Sequence, residues 1–283
     1  MGFLDLTDTA PATPPAGTIR LFRRVIGGRQ MPAFVGPAGQ STTLQANLSR
    51  NKISQYVAAG GGTVISNVAF PTATVLGTAT TRSVTNTSFW TRLRKLGYVS
   101  AATAAAFAGF RFNNHQAFSL GTGTGLGGFH YVQRFGIGDA AVVAGARMFV
   151  GMSATNAAPT NVEPSTLLNL IGVGHGAADT NMMLYISGTA AQPAINLGAS
   201  FPNTPNIPYE LAIFSSTTEA NKLYWEVTRL DTGVTAQGDV TVTAATGPIS
   251  SVLLSAGYSW RCNNATLLAV ALDHASIYIE TDD

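Results

Sequence analysis

Charge is scarce in this sequence. Asp, Glu, Lys and Arg make up 11% of its 283 residues, where soluble domains usually carry about 25%. With 46% apolar residues, this excludes a disordered chain and leaves enough material for a sizeable core in one or two domains. The single cysteine, Cys262, excludes an intrachain disulfide and a Cys-based zinc site, and suits assembly in a reducing cytoplasm. No continuous apolar run of membrane-spanning length, about 20 residues, occurs: the uncharged stretch from Ile53 to Thr81 is broken by Gly, Thr, Ser, Gln and Asn. No membrane span is expected. Asp5 and Asp8 stand where a signal peptide needs a basic start, so the N-terminus does not read as a secretion signal.

Acids are missing from one long stretch. Between Asp8 and Asp139 there are twelve Arg and Lys residues and no Asp or Glu, whereas residues 139–283 hold four cations against twelve acids. Two halves of opposite charge should attract each other or matching surfaces on neighbours. The basic residues are scattered, and no helix-turn-helix, RNP or zinc-finger spacing accompanies them, so no nucleic-acid partner is expected.

Catalytic and cofactor signatures are also sparse. The four histidines, His115, His130, His175 and His274, form no metal-binding spacing, and there is no G-x-S-x-G nucleophile elbow. Gly123, Gly125 and Gly128 spell G-x-G-x-x-G, but an aromatic strand-like run beginning at Phe129 follows where a phosphate cradle needs a helix. No cofactor, metal or catalytic residue is implied. A glycosidase would need two acids at fixed separation among Asp139, Glu163, Asp179, Glu210, Glu226, Asp231, Asp239 and Asp273, and their spacing in sequence cannot pair them.

What is present in quantity is glycine, threonine, alanine and short apolar runs. Residues 1–43 read as an extended arm, with Pro11, Pro14 and Pro15, followed by a hairpin around Gly27-Gly28. Pro32 marks the second strand as an edge. Residues 44–105 read as a linker region with two short helices. One lies in 44–58; the other, Ser88 to Leu96, starts at a serine cap, ends at Gly97 and presents Phe89, Leu93 and Leu96 on one face. From residue 106 to 283 about eleven short strands follow, among them Phe107 to Phe112, Val252 to Ala256, Thr266 to Leu272 and Ala275 to Ile279. In Leu223 to Thr228, alternation puts Leu223, Trp225 and Val227 on one face. The fold expected is mainly β, an antiparallel two-sheet β-sandwich preceded by an arm, a hairpin and short helices.

Two stretches combine ligand-type side chains. Tyr258, Trp260, Asn263 and Asn264 mix aromatics with amides: aromatic faces stack on sugars and amides bond hydroxyls, so they are the candidate glycan-binding residues. The competing reading makes Trp260 a plug at one end of the sandwich and the Asn pair a turn. His175 and Asp179, in Gly172 to Asp179, are candidate loop contacts or simply turn formers.

Several segments together resemble a family of tailed-bacteriophage virion proteins with a concanavalin-A-like or laminin-G-like sandwich. They are Phe89 to Ser100, Arg147 to Ser153, Ile171 to Asn181 and Ala271 to Asp282. The Pro14 to Phe22 stretch similarly resembles the entry hairpin of phage fibre proteins. The resemblance implies a virion component assembled in the bacterial cytoplasm, commonly a homotrimer, joined to other virion proteins by its N-terminus. A tail fibre is the leading expectation, with a head fibre or decoration protein, a module binding host-surface glycan, and a polysaccharide-degrading tailspike as alternatives. Trimer contacts are expected near Arg92, Arg94 and Lys95.

Overall fold

The computed structural model describes residues 11–37, 41–43, 52–59 and 61–281. In chain order its strands are β1 (Arg20–Ile26), β2 (Arg29–Val35), β3 (Ser41–Thr43), β4 (Lys52–Ala58), β5 (Ile65–Val68), β6 (Ala73–Leu76) and β7 (Thr78–Thr81). After a single-turn helix, α1 (Phe89–Arg92), come β8 (Leu96–Val99), β9 (Phe107–Phe112), β10 (Phe129–Ile137), β11 (Arg147–Ser153), β12 (Leu170–His175), β13 (Met183–Ser187) and β14 (Ile195–Asn196). The last five are β15 (Pro208–Ser215), β16 (Lys222–Arg229), β17 (Val234–Thr241), β18 (Ser255–Cys262) and β19 (Ala271–Thr281).

Two antiparallel sheets face each other. One has seven strands in the order β14-β13-β12-β11-β18-β9-β6. The other has nine: β17-β16-β15-β10-β19-β4-β5, with β8 joining β19 and β7 joining β8. Period-two alternation turns one side of each sheet inward. Phe110, Met148, Val150, Ile171 and Val173 from the seven-stranded sheet thus meet Tyr131, Leu211, Ile213, Leu223, Ile277 and Ile279 from the nine-stranded sheet in one core. A polar bridge crosses that core, where Gln133 Nε2 donates to Ser259 Oγ at 3.0 Å.

Strand β19 holds the larger sheet together. One of its edges pairs with β10 from Leu272 to Glu280, with a bulge at Ala275, and the other is divided, Ala271 to His274 pairing with β8 and Ser276 to Thr281 with β4. This corrects two sequence readings. Thr266–Leu272 and Ala275–Ile279 do not form two strands; one strand runs from Ala271 through the buried Asp273 and His274. Lys52–Ala58 is strand rather than helix, while residues 44–51 of that expected helix lie outside the described residues. Its inward positions are Ser54, Tyr56 and Ala58, and a serine at a core-facing position hides the period-two pattern. Altogether the region read as a helical linker supplies five strands to the two sheets.

The second expected helix is real but short. Ser88 caps it as expected, Thr91 N–H donating to Ser88 Oγ at 3.2 Å and Ser88 N–H to Thr91 Oγ1 at 2.9 Å. Leu93 is already extended, and Leu96 begins β8. Of the helix itself the buried residue is Trp90 rather than Phe89, because the indole lies directly over Gly136, where an added Cβ would be 2.4 Å from the ring; Leu96 is buried as expected, but from β8. Lys95, expected at the surface, is buried: its Nζ donates to Trp90 O at 2.7 Å and sits 4.6 Å from the indole centroid.

The N-terminal hairpin forms as read. Gly27 and Gly28 have φ of 53° and 83°, both in the left-handed region required by a two-residue turn whose twist matches the strands. Strand β2 is an edge only over Arg29 to Pro32, since β3 pairs with its Ala33 to Val35. Pro32 lies one residue beyond that ladder, and toward β1 it faces Arg23 at a position that alternation from the turn leaves free of hydrogen bonds. The hairpin rests on the outer face of the nine-stranded sheet, where Gly27 N–H donates to Glu226 Oε2 at 3.3 Å and Arg29 forms an ion pair with Glu280. The Arg29–Glu280, Arg82–Asp273 and Arg134–Glu210 pairs all join the basic part of the chain to the acidic part. The halves therefore attract each other within one chain, as their charges predict.

Candidate functional site

The sequence-predicted residues gather at one end of the sandwich, but most are not at its surface. Tyr258 and Trp260 belong to β18, a central strand, and point away from the main core into a second apolar cluster with Phe149, Leu170, Tyr185 and Cys262. They are 3% and 1% exposed. Trp260 meets Phe107 edge to face at 5.7 Å between centroids, and Tyr258 packs against Phe149 at 6.2 Å. The strand expected at Val252 to Ala256 begins three residues later and runs through this stretch. Asn263, fully buried, donates through Nδ2 to Thr103 O and Leu268 O, both at 2.8 Å, while its Oδ1 accepts from Ala106 N–H at 2.9 Å. All three bonds tie loops together. Burial thus removes Tyr258, Trp260 and Asn263 from any accessible aromatic and amide surface, leaving only Asn264 partly exposed.

Asn264 is half-buried and joins a network that the sequence did not reveal. Its Oδ1 accepts from Arg147 Nη1 at 2.9 Å and from Asn161 Nδ2 at 3.1 Å. Arg147 Nε in turn donates to Glu163 Oε1 at 2.8 Å, and Glu163 Oε2 accepts from Ala177 N–H at 3.1 Å. Asp179 closes the same loop by accepting from Gly176 N–H at 2.7 Å. Glu163 and Asp179 both line a cavity of 320 Å³ beside Tyr185. Each is held by loop backbone, and the pair is an anchor for residues 176–179.

His175 is not in a loop; it ends β12 and is 2% exposed. Its Nε2 lies 2.5 Å from Arg261 Nη1, which can only donate, so Nε2 accepts and Nδ1 carries the proton to Gly176 O at 3.1 Å. Arg261, 1% exposed, also donates to Asp139 Oδ2 from Nη2 at 2.5 Å and Nε at 3.1 Å, and Asp139 Oδ1 accepts from Ala271 N–H. A buried Asp139–Arg261–His175 row therefore stitches three elements. Among the described residues, no three His, Cys, Asp or Glu side chains converge as a metal-binding group.

Three imidazoles are held neutral. Burial pushes His130, His175 and His274 down to about 3, with Arg29 adding to the effect at His130 and Arg261 at His175. In the unfolded chain each would titrate near 6.5. Between these values only the unfolded state binds the proton, so stability is complete above pH ~6.5 and falls as the pH drops toward ~3. Asp273 acts oppositely: burial pushes its carboxyl up despite Arg82, so its contribution declines as pH rises through the carboxylate range. The histidines outnumber it, and the urea midpoint is expected to fall markedly from pH 7 to pH 4.5. A His274→Gln variant should show a shallower decline, and a flat profile would mean that these rings titrate normally.

A second site lies on the outer face of the nine-stranded sheet. Register aligns Tyr224, Phe214, His130 and Glu280 across β16, β15, β10 and β19. The hairpin turn crosses this row, with Gly28 so close to the Tyr224 ring that an added Cβ would be 2.4 Å from it. Cavities of 510 and 440 Å³ remain under the hairpin, and His130 lines both. The larger is lined by Arg29, Phe214, Thr217, Glu219, Tyr224 and Glu280 among others. The Tyr224 hydroxyl donates to Glu219 at 2.9 Å, Phe214 and Tyr224 lie 6.0 Å apart between centroids, and the His130 ring meets Phe214 edge to face. His130 is 4% exposed and its Nε2 has no hydrogen-bond partner. The Gly121–Gly128 loop borders this site through Gly128, at the opposite end of the sandwich from His175 and Asn264.

No family model matches the chain, and no curated protein matches it in sequence. Solved structures match it in fold. Lectin I from Ulex europaeus, in complex with the methyl glycoside of α-L-fucose, superimposes with a TM-score of 0.53 at 12% identity, over 83% of this chain and 99% of that one. A protein of unknown function from Shewanella oneidensis MR-1 gives 0.50 at 13% identity, over 84% and 89%. Arcelin-5, a lectin-like defense protein from Phaseolus vulgaris, gives 0.50 at 9% identity, over 82% and 98%. The chain is a mainly β, antiparallel, lectin-like β-sandwich.

Proposed function

We propose that this chain is a non-enzymatic structural component of a tailed-phage virion, a tail fibre or similar appendage, anchored by its N-terminal hairpin and displaying the sandwich outward. The observation that supports this most is the hairpin's free apolar surface. One face of the hairpin sheet, with Phe22 and Arg24, is turned to the sandwich, while Ile19, Leu21 and Val25 on the other are 62%, 47% and 38% exposed. An exposed apolar patch marks a contact surface. It suits another virion protein. Assembly as a homotrimer belongs to the same reading, with Arg92 and Arg94 exposed for contact and Lys95 withdrawn beneath α1.

Immunogold electron microscopy of phage particles with antibodies against residues 100–283 is expected to label an appendage. A chain lacking residues 11–37 should fold and no longer enter particles. Unlabelled particles, or normal incorporation of the shortened chain, would sink the proposal.

Glycan recognition is the second reading, in keeping with the lectin-like fold and with the polar, aromatic cavity under the hairpin. In this reading the contacts shift from Tyr258 and Trp260 to a surface that a saccharide can reach.

A further inference from the structure

We propose that the 510 Å³ cavity between the hairpin turn and the nine-stranded sheet is a binding site for a neutral saccharide, with His130 as its buried hydrogen-bonding group and Phe214 and Tyr224 as its stacking surface. This rests on the glycan-recognition reading and names where on the sandwich recognition occurs.

His130 carries the argument. A buried polar atom without a partner loses its water without compensation, and such atoms in folded proteins call for an explanation. His130 Nε2 is one of them, 4% exposed, on a side chain that lines cavities on both sides of the hairpin. Burial keeps the ring neutral, so its free nitrogen can accept from or donate to a hydroxyl according to tautomer. A sugar hydroxyl has the same dual character.

The rest of the lining selects the class of ligand. Arg29 is ion-paired with Glu280, and the Glu219 carboxylate holds the Tyr224 hydroxyl from both of its oxygens, at 2.9 and 3.2 Å. Among its described lining residues the cavity thus presents no uncompensated cation to attract an anion, and His130, Glu219 and Glu280 do not converge as a metal-binding group. A purely apolar ligand would strand these polar groups without water. A pyranose matches the mixture, because its C–H face packs on an aromatic ring while its hydroxyls meet fixed carboxylate, guanidinium and imidazole groups. The volume lies within the range of about 300–1,000 Å³ typical of small-molecule sites. The site is also inaccessible to reading by spacing, since its parts come from β2, β10, β15, β16 and β19.

The test is saturation-transfer NMR on the full chain with glucose, galactose, N-acetylglucosamine, rhamnose and fucose, followed by Kd measurement for whichever binds. The unaltered chain should show transfer from at least one sugar. Phe214→Ala, which removes the stacking ring, and Thr217→Trp, which plugs the rim, should each weaken Kd by about tenfold or more, a loss of about 1.4 kcal/mol. Should Phe214→Ala not fold, the plug at the half-exposed Thr217 carries the test alone. Asn264→Ala, at the other end of the sandwich, should leave binding unchanged. Binding that survives the plug would overturn the site and leave glycan recognition standing; no transfer from any of the five sugars would overturn both.

Discussion

Replacing Trp260 by alanine is expected to lower the free energy of unfolding by about 3–5 kcal/mol, the usual cost of emptying a buried aromatic position. Trp260 occupies the middle of β18, between Phe149 of β11 and Gly109 of β9 in register, and its indole is covered by Phe107 and the second apolar cluster. Glycine directly opposite offers no side chain to collapse into the space. The two sequence readings of Trp260 differ on this substitution: a surface stacking residue would leave stability nearly unchanged, a plug in the sandwich would not, and burial of the indole supports the plug. Urea unfolding followed by far-UV circular dichroism measures the difference. A loss below about 1 kcal/mol would show that the indole is not part of the packed interior.

Asp139→Ala should cost about as much for a different reason. It strands the Arg261 guanidinium in a site where 1% of the residue is exposed, and it removes the acceptor of Ala271 N–H. Breaking one partner of a buried ion pair typically costs about 3–5 kcal/mol, whereas replacing both partners by apolar residues of similar volume is often neutral. The double variant Asp139→Leu with Arg261→Met should therefore recover most of the stability lost by the single one. If the double variant proves less stable than Asp139→Ala, Arg261 is held chiefly by something other than Asp139. The His175 imidazole is the neighbour to inspect, because it accepts from the same guanidinium.

The contrast between these two residues and the earlier expectations shows where sequence reasoning works on this fold. Local patterns were legible. Gly27-Gly28 specified the hairpin, Leu223-Trp225-Val227 specified an inward face, and Phe107 to Phe112 was recognisable as a strand with its exact limits. The opposed charges of the two halves also announced their pairing. Remote satisfaction was not legible. In β18, Ser259 and Arg261 look like loop residues until Gln133 and Asp139, more than a hundred positions earlier, supply their partners. Tyr258 and Trp260 looked accessible because a sheet covered on both sides leaves no polar face to betray its alternation. The cavity under the hairpin was invisible for a geometric reason: register across four strands of one sheet, with the hairpin laid over them, rather than spacing along one strand, brings its residues together.

The divided edge of β19 carries a consequence for how the polypeptide acquires its shape during synthesis. Strands β4, β8 and β10 all leave the ribosome more than a hundred residues before Ala271 does, and each has an edge whose only described neighbour on that side is β19. At about 5–20 residues per second, translation holds those edges open for on the order of ten seconds. Three unpaired edges on a nascent chain are an invitation to pair with a second nascent chain instead. Production yield should therefore respond to anything that shortens the wait or dilutes the neighbours, such as holdase chaperones or sparse initiation, more than to changes that stabilise the finished molecule.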